Sequence, residues 1–185
     1  VYSSFLQRAY DQIIHDVSLQ KLKVVLAVDR AGLVGEDGET HQGIFDVPFL
    51  STIPDIEVYS PSFLEEMNPM LENAVFASRN LSAIRYPRGS EYEKPISFKY
   101  TGKPYDFYGN KDSEVLVITY GRIFSNAYFA ANKFDRVCVL KLNVIYPIDI
   151  NAVKGSLNFK NIIFFEESIF FSSSSRCFLN ASARF

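Results

Sequence analysis

Apolar positions along the chain follow two rhythms that alternate. Leu6, Ala9, Tyr10, Ile13, Ile14 and Val17 recur three and four residues apart, which predicts an amphipathic helix over roughly residues 4–19. The run KVVLAVD, Lys23 to Asp29, is apolar almost without interruption, the pattern of a parallel strand buried on both faces. IEVYS (Ile56 to Ser60) and SAIRY (Ser82 to Tyr86) predict two further strands. Between them, PSFLEEM sets Ser62 and Glu65 at capping-box spacing, which predicts a helix from there to about Ser78. Pro69 has no N–H to donate and should kink or restart that helix.

From Ser90 to Asp112 the chain turns polar, with Lys, Gly, Pro and Asn and no clear period, as in a linker. The rhythm then restarts: strand EVLVITYG, a helix from about Ile123 to Phe134, strand RVCVLKL, a helix around Asn151 to Leu157, and strand NIIFFEE. Strands alternating with helices predict an α/β fold with mainly parallel sheets in two modules. The expected division is residues 1–89, a linker at 90–111, and 112–185. Ser172 to Ser175 read as a flexible turn. The opening VYSSFLQRAY has no Met and starts on what reads as a strand end, so a piece of a longer protein is expected.

Composition narrows the functional classes. At 48% hydrophobic, 185 residues can bury a real core. A formal charge of −2 makes no case for a nucleic-acid or membrane-surface partner. Cys138 and Cys177 have no metal-ligand spacing, so no metal site and a reduced compartment are expected. No apolar run has the length of a membrane span, and no signal peptide is visible.

The densest chemistry lies in DRAGLVGEDGETHQGIFD, Asp29 to Asp46, with five carboxylates, an arginine, a histidine and four glycines in eighteen residues. This loop leaves the carboxyl end of a predicted strand, where open α/β sheets bind their ligands. Arg30 can hold a phosphate or carboxylate with two parallel N–H bonds. His41 can titrate near neutrality and shuttle a proton, and Asp37 can orient it or act as a base. A solvated loop with incidental charges would have the same composition. Arg85 and Arg88 of RYPRG close the third strand at the same edge, and two converging arginines suit an anion. Arg85 could instead pair with a structural carboxylate. The aromatics of YSSF, Tyr2 and Phe5, could stack on a flat ring or simply pack in the core. His15 reads as a packing histidine, and Glu166 and Glu167 as a sheet terminus.

These segments together resemble a known family. YSSFLQRAYDQIIHDV, the DRAG loop, PSFLEEM and IRYPRG occur in the order and spacing of the 1-deoxy-D-xylulose-5-phosphate synthase family, which is transketolase-like. VITYG, LNVIYPID and FFEES resemble that family's C-terminal transketolase domain, so the likeness covers about residues 1–167, the C-terminal part only. It implies a thiamine-diphosphate-dependent transferase that condenses pyruvate with glyceraldehyde 3-phosphate, releasing carbon dioxide, for non-mevalonate isoprenoid biosynthesis. The first module then corresponds to a pyrimidine-binding domain. Phe5 matches the aromatic under the cofactor's pyrimidine, with Tyr2 and Arg8 lining the same site. Asp37 and His41 match active-site residues near the substrates, and Arg30 and Arg88 match the arginines that hold the aldehyde's phosphate. The activating glutamate and the domain with the Mg²⁺ ligands are absent from this chain, which alone is expected to be inactive. The resemblance also implies a homodimer in a bacterial cytoplasm or a plastid. A non-catalytic assembly module and one subunit of a split enzyme are the alternatives. Residues 172–185 depart from the family pattern.

Overall fold

Two four-stranded sheets carry the chain, of which the computed structural model describes residues 1–169. Cys177, the Ser172 to Ser175 turn and the departure from the family pattern at 172–185 lie outside the described residues. In chain order the strands are β1 (Val25–Asp29), β2 (Glu57–Tyr59), β3 (Ser82–Tyr86), β4 (Tyr105–Tyr108), β5 (Val115–Tyr120), β6 (Val137–Leu142), β7 (Val144–Tyr146) and β8 (Asn161–Phe165). The first sheet runs β1-β3-β2-β7 and the second β4-β6-β5-β8. In the first, β3 pairs in parallel with β1 and β2, and β7 lies antiparallel to β2. In the second, β5 pairs in parallel with β6 and β8, and β4 lies antiparallel to β6. The architecture is α/β with mixed, mostly parallel sheets.

The first helical segment begins as α1 (Ser3–Leu6), tightens at Gln7–Ala9, continues as α2 (Tyr10–Gln12) and widens into a π turn at Ile13–Ser18. Its apolar stripe buries Leu6 and Ile13 in the core. His15 is on the opposite face, 64% exposed beside Asp11 at 3.5 Å, so it does not pack as expected. The other helices are α3 (Asp46–Leu50), α4 (Leu64–Glu72), α5 (Phe124–Ala131) and α6 (Ile150–Ser156). The expected capping box shifts by one residue. Because α4 starts at Leu64, its third residue is Glu66, whose Oε2 accepts from the Ser62 and Phe63 amides at 2.7 and 3.0 Å. Glu65 instead faces outward onto Lys94. α4 runs on through Pro69 and widens to a π turn only at Asn73–Ala77.

β1 is an edge strand with Ala27 exposed and Val25 and Leu26 half-buried, so its apolar run is not covered on both faces. Within the stretch expected as a linker, Tyr105–Tyr108 form β4, and Phe98 packs edge-on against Phe63 with ring centroids 4.5 Å apart. The chain passes from β6 to β7, and so from one sheet to the other, through Asn143 alone. One buried cluster joins the sheets, with Val28, Val58 and Ala83 from the first and Leu116, Leu140 and Leu142 from the second. That shared core brings the carboxyl ends of β1 and β3 up against the end of β8.

Candidate active site

The loop after β1 is built on tight backbone contacts. Arg30 takes left-handed backbone, φ 61°, with its N–H held by Asp29 Oδ1 at 2.7 Å. Gly32 and Gly43 exchange both amide hydrogen bonds, at 2.9 and 2.8 Å, and so close the loop on itself. A Cβ at Gly43 would overlap the Arg30 carbonyl oxygen, and one at Gly32 would overlap the Glu167 carboxylate. These approaches require glycine. Gln42 fastens the tip: its Oε1 accepts from Val34 N, and its Nε2 donates to the Val34 and Gly38 carbonyls, all at 2.7–2.8 Å.

The seven residues that the family resemblance assigns to the site meet in one patch. The Tyr2 and Phe5 rings stack with centroids 5.5 Å apart, and His41 stands edge-on to both, at 5.9 and 5.1 Å. The Arg8 guanidinium lies 5.7 Å from the Phe5 centroid. The Arg30 guanidinium covers Tyr2 at 3.6 Å and donates from Nε to Asp37 Oδ2 at 2.6 Å. Arg88 donates to the other oxygen of Asp37 and lies 3.4 Å from Glu36. Both Asp37 oxygens therefore serve arginines, while Nδ1 of His41 is held by Thr40 Oγ1 at 2.8 Å. Phe5 remains 43% exposed, which leaves ring surface open for stacking.

Arg85 is not part of this patch. It is buried in an ion pair with Asp46, at 3.1 and 3.2 Å, and its guanidinium faces the Tyr120 ring. Burial opposes its charge, but Asp46, Tyr120 and Glu167 overcome this and raise its pKa above the usual arginine value. Arg85 thus serves a structural carboxylate and not an anionic ligand at the patch.

Sequence reasoning missed three residues, Asp29, Gln42 and Arg122. Asp29 Oδ2 pairs with Arg30 Nη1 at 2.5 Å, and Gln42 organises the loop tip. Arg122, just after β5, grips Glu167 at 3.1 Å and donates to the Leu33 and Arg88 carbonyls. Glu166, beside it, accepts from the buried Tyr120 hydroxyl at 2.6 Å. The glutamates close the sheet end as expected, and Glu167 also holds the first module's loops through Arg122. Asp29 and Gln42 lie in the loop whose composition was the signal, and Arg122 carried none. Among the described residues no group of three or more His, Cys, Asp or Glu side chains is placed to hold a metal ion, and no helix is long and apolar enough to cross a membrane.

Comparison with known proteins defines the class first. Residues 1–92 match the family "Transketolase, pyrimidine binding domain". A structure titled "Split gene transketolase, inactive beta4 tetramer" superposes on 99% of this chain and 61% of its own, with a TM-score of 0.83 at 18% identity. Transketolase from Leishmania mexicana superposes on 92% of this chain and 27% of its own, with a TM-score of 0.76 at 17% identity. The fold is therefore transketolase-like. Within that class, the chain is homologous to 1-deoxy-D-xylulose-5-phosphate synthases. It is 39% identical to the one from Buchnera aphidicola subsp. Schizaphis graminum, over 91% of this chain and 29% of that protein. It is 48% identical to the one from Caldanaerobacter subterraneus subsp. tengcongensis, over 82% of this chain and 23% of that protein. The chain spans less than a third of the length of these bacterial relatives.

Proposed function

We propose that the chain supplies the pyrimidine-binding and substrate-phosphate parts of a synthase that joins pyruvate to glyceraldehyde 3-phosphate with loss of carbon dioxide. The observation that carries this reading is one patch in which two arginines converge on a single anion beside an open aromatic face. Phe5 offers its exposed ring to a flat heterocycle, and Tyr2 and Arg8 line the same wall. That set fits the pyrimidine of thiamine diphosphate, which when bound supplies the carbanion chemistry that joins two carbonyl carbons. Arg30 and Arg88 bind the aldehyde's phosphate and thereby position its carbonyl. With Nδ1 held by Thr40, Nε2 of His41 is the atom that moves a proton to or from the reacting oxygen. Asp37 supplies a carboxylate within the same loop. Mg²⁺ would be bound by residues outside this chain, and the working assembly is a homodimer.

Kinetics of the full-length protein test this. Arg88→Ala and Arg30→Ala should each lower kcat/KM for glyceraldehyde 3-phosphate roughly ten- to a hundredfold, the worth of a charged hydrogen bond of about 1.5–3 kcal/mol. A rise in the KM for pyruvate with no change for the aldehyde would remove the phosphate assignment. The likeness to a split-gene transketolase favours a second reading, in which a partner chain supplies the diphosphate site. In either reading the 185-residue chain alone should titrate only weakly with thiamine diphosphate and Mg²⁺ in a calorimeter. Micromolar binding would count against both.

A further inference from the structure

We propose that Asp37 is a built-in anion holding the phosphate position between Arg30 and Arg88, so that a phosphorylated substrate binds by displacing its carboxylate. This rests on the reading of those arginines as the phosphate clamp. Each Asp37 oxygen serves one arginine, Oδ2 accepting from Arg30 Nε and Oδ1 accepting from Arg88 Nη1, which is how two oxygens of a phosphate would bridge them. The further ion pairs of the two guanidinium groups are Asp29 on Arg30 and Glu36 on Arg88. Two positive and three negative groups leave the cluster at a net charge of −1. A phosphate dianion that approaches this arrangement meets repulsion, and like charges placed together cost several kcal/mol. It binds only where Asp37 leaves.

The loop can let it leave. Asp37 sits between Gly35 and Gly38, both exposed with open space around them, and Gly38 has φ 71°. Its amide is held only within the loop, by the Val34 carbonyl at 3.2 Å. The anchors on either side are separate: Arg30 is fixed by Asp29 and Tyr2, and the Arg88 carbonyl accepts from Arg122. The arginines can therefore stay in place while the carboxylate between them is exchanged. A phosphate brings more charge and a third oxygen, so it outcompetes a single carboxylate. An unphosphorylated aldehyde brings neither. Asp37 thus selects for the phosphate group, and it becomes available to act elsewhere in the site only after a phosphate has arrived.

Calorimetric titration of the 185-residue chain with inorganic phosphate and with glyceraldehyde 3-phosphate tests this, with glyceraldehyde as the uncharged control. Asp37→Asn should tighten binding of both phosphate probes about tenfold, and Glu36→Gln by less, with glyceraldehyde unaffected. Adding Arg88→Gln to Asp37→Asn should abolish the gain. In the unmodified chain, phosphate should shift the Asp37 carboxyl-carbon NMR signal in step with the Arg88 guanidinium signals, a readout that needs no variant to fold. If Arg88→Gln weakens phosphate binding but Asp37→Asn does not strengthen it, or the Asp37 signal stays still while arginine signals move, the internal anion is overturned and the clamp stands. If neither the unmodified chain nor Asp37→Asn binds phosphate through Arg88, the clamp and the internal anion fall together.

Discussion

Gly43 shows how one position decides the loop. Its hydrogen atom fills the only space left beside the Arg30 carbonyl, so a methyl group there pushes Arg30 off its seat over Tyr2. Gly43→Ala should cost about 1–3 kcal/mol, as overpacking does, and lower Tm by roughly 2–4 °C for each kcal/mol. Differential scanning calorimetry reads this directly. His41 makes the opposite prediction. It is half-buried, held by Thr40 and two ring edges, and no core depends on it. In the full-length protein His41→Ala should lower kcat by about 10²–10⁴-fold, the usual contribution of a positioned acid–base group, with Tm nearly unchanged. Activity that falls only in step with stability would return His41 to a bracing role.

At the scale of elements, the tie between α4 and β6 is the most exacting. Lys141 on β6 and Glu66 on α4 are both fully buried and pair at 2.7 Å, and Glu66 uses its other oxygen to cap α4. Lys141 also donates to Asn143, whose Nδ2 reaches the Lys103 carbonyl and Asp106 at 2.9 and 3.0 Å. Burial pulls the Lys141 pKa below the usual lysine value, and Glu66 opposes that pull. Removing one partner leaves the other charge buried and uncompensated. Lys141→Met should therefore cost about 3–5 kcal/mol in denaturant unfolding. Combining it with Glu66→Gln, which keeps one cap acceptor, should cost less than the sum of the single changes. Additive costs would show that the two side chains are not coupled.

Across the whole molecule, the two sheets are locked by their shared core and by Arg122, which Glu167 holds at the end of the second sheet and which donates to the Leu33 and Arg88 carbonyls of the first. Arg122→Ala should loosen the Leu33 and Arg88 loops together, raising hydrogen exchange in both while the β1–β3 core stays protected. The phenols report on the same packing. Burial raises the pKa of Tyr59, Tyr108 and Tyr120 above the usual tyrosine value, with nearby carboxylates adding to it. Above the ordinary phenol pKa of about 10 the folded chain then holds more protons than the unfolded chain, so stability falls as pH rises. Below that pH these groups are protonated in both states and contribute no slope. Absorbance titration at alkaline pH should show a late phase of ionisation that coincides with loss of circular dichroism. A smooth titration finished before unfolding would contradict the burial.

The sequence by itself determined the α/β class, the positions of β1, β2, β3, β5, β6 and β8, and the loop Asp29 to Asp46 as the densest chemistry, while the full set of patch residues followed from the family resemblance. Apolar runs and turn residues are local signals, and the loop motif had a distinctive composition. It did not reveal β4 or β7. YDFY lies inside a polar stretch, and VIY directly follows β6, so that it reads as the same strand until Asn143 turns the chain into the other sheet. The tertiary structure alone decided that KVVLAVD is an edge strand, because burial depends on neighbours that are distant in sequence. It alone set Arg85 on Asp46 and brought Arg122, from the second half, under the first module's loops. And only the fold shows Asp37 between two arginines, one seven residues before it and one fifty-one residues after it. Ion pairs are chosen by distance in space, which residue type and spacing along a chain do not encode.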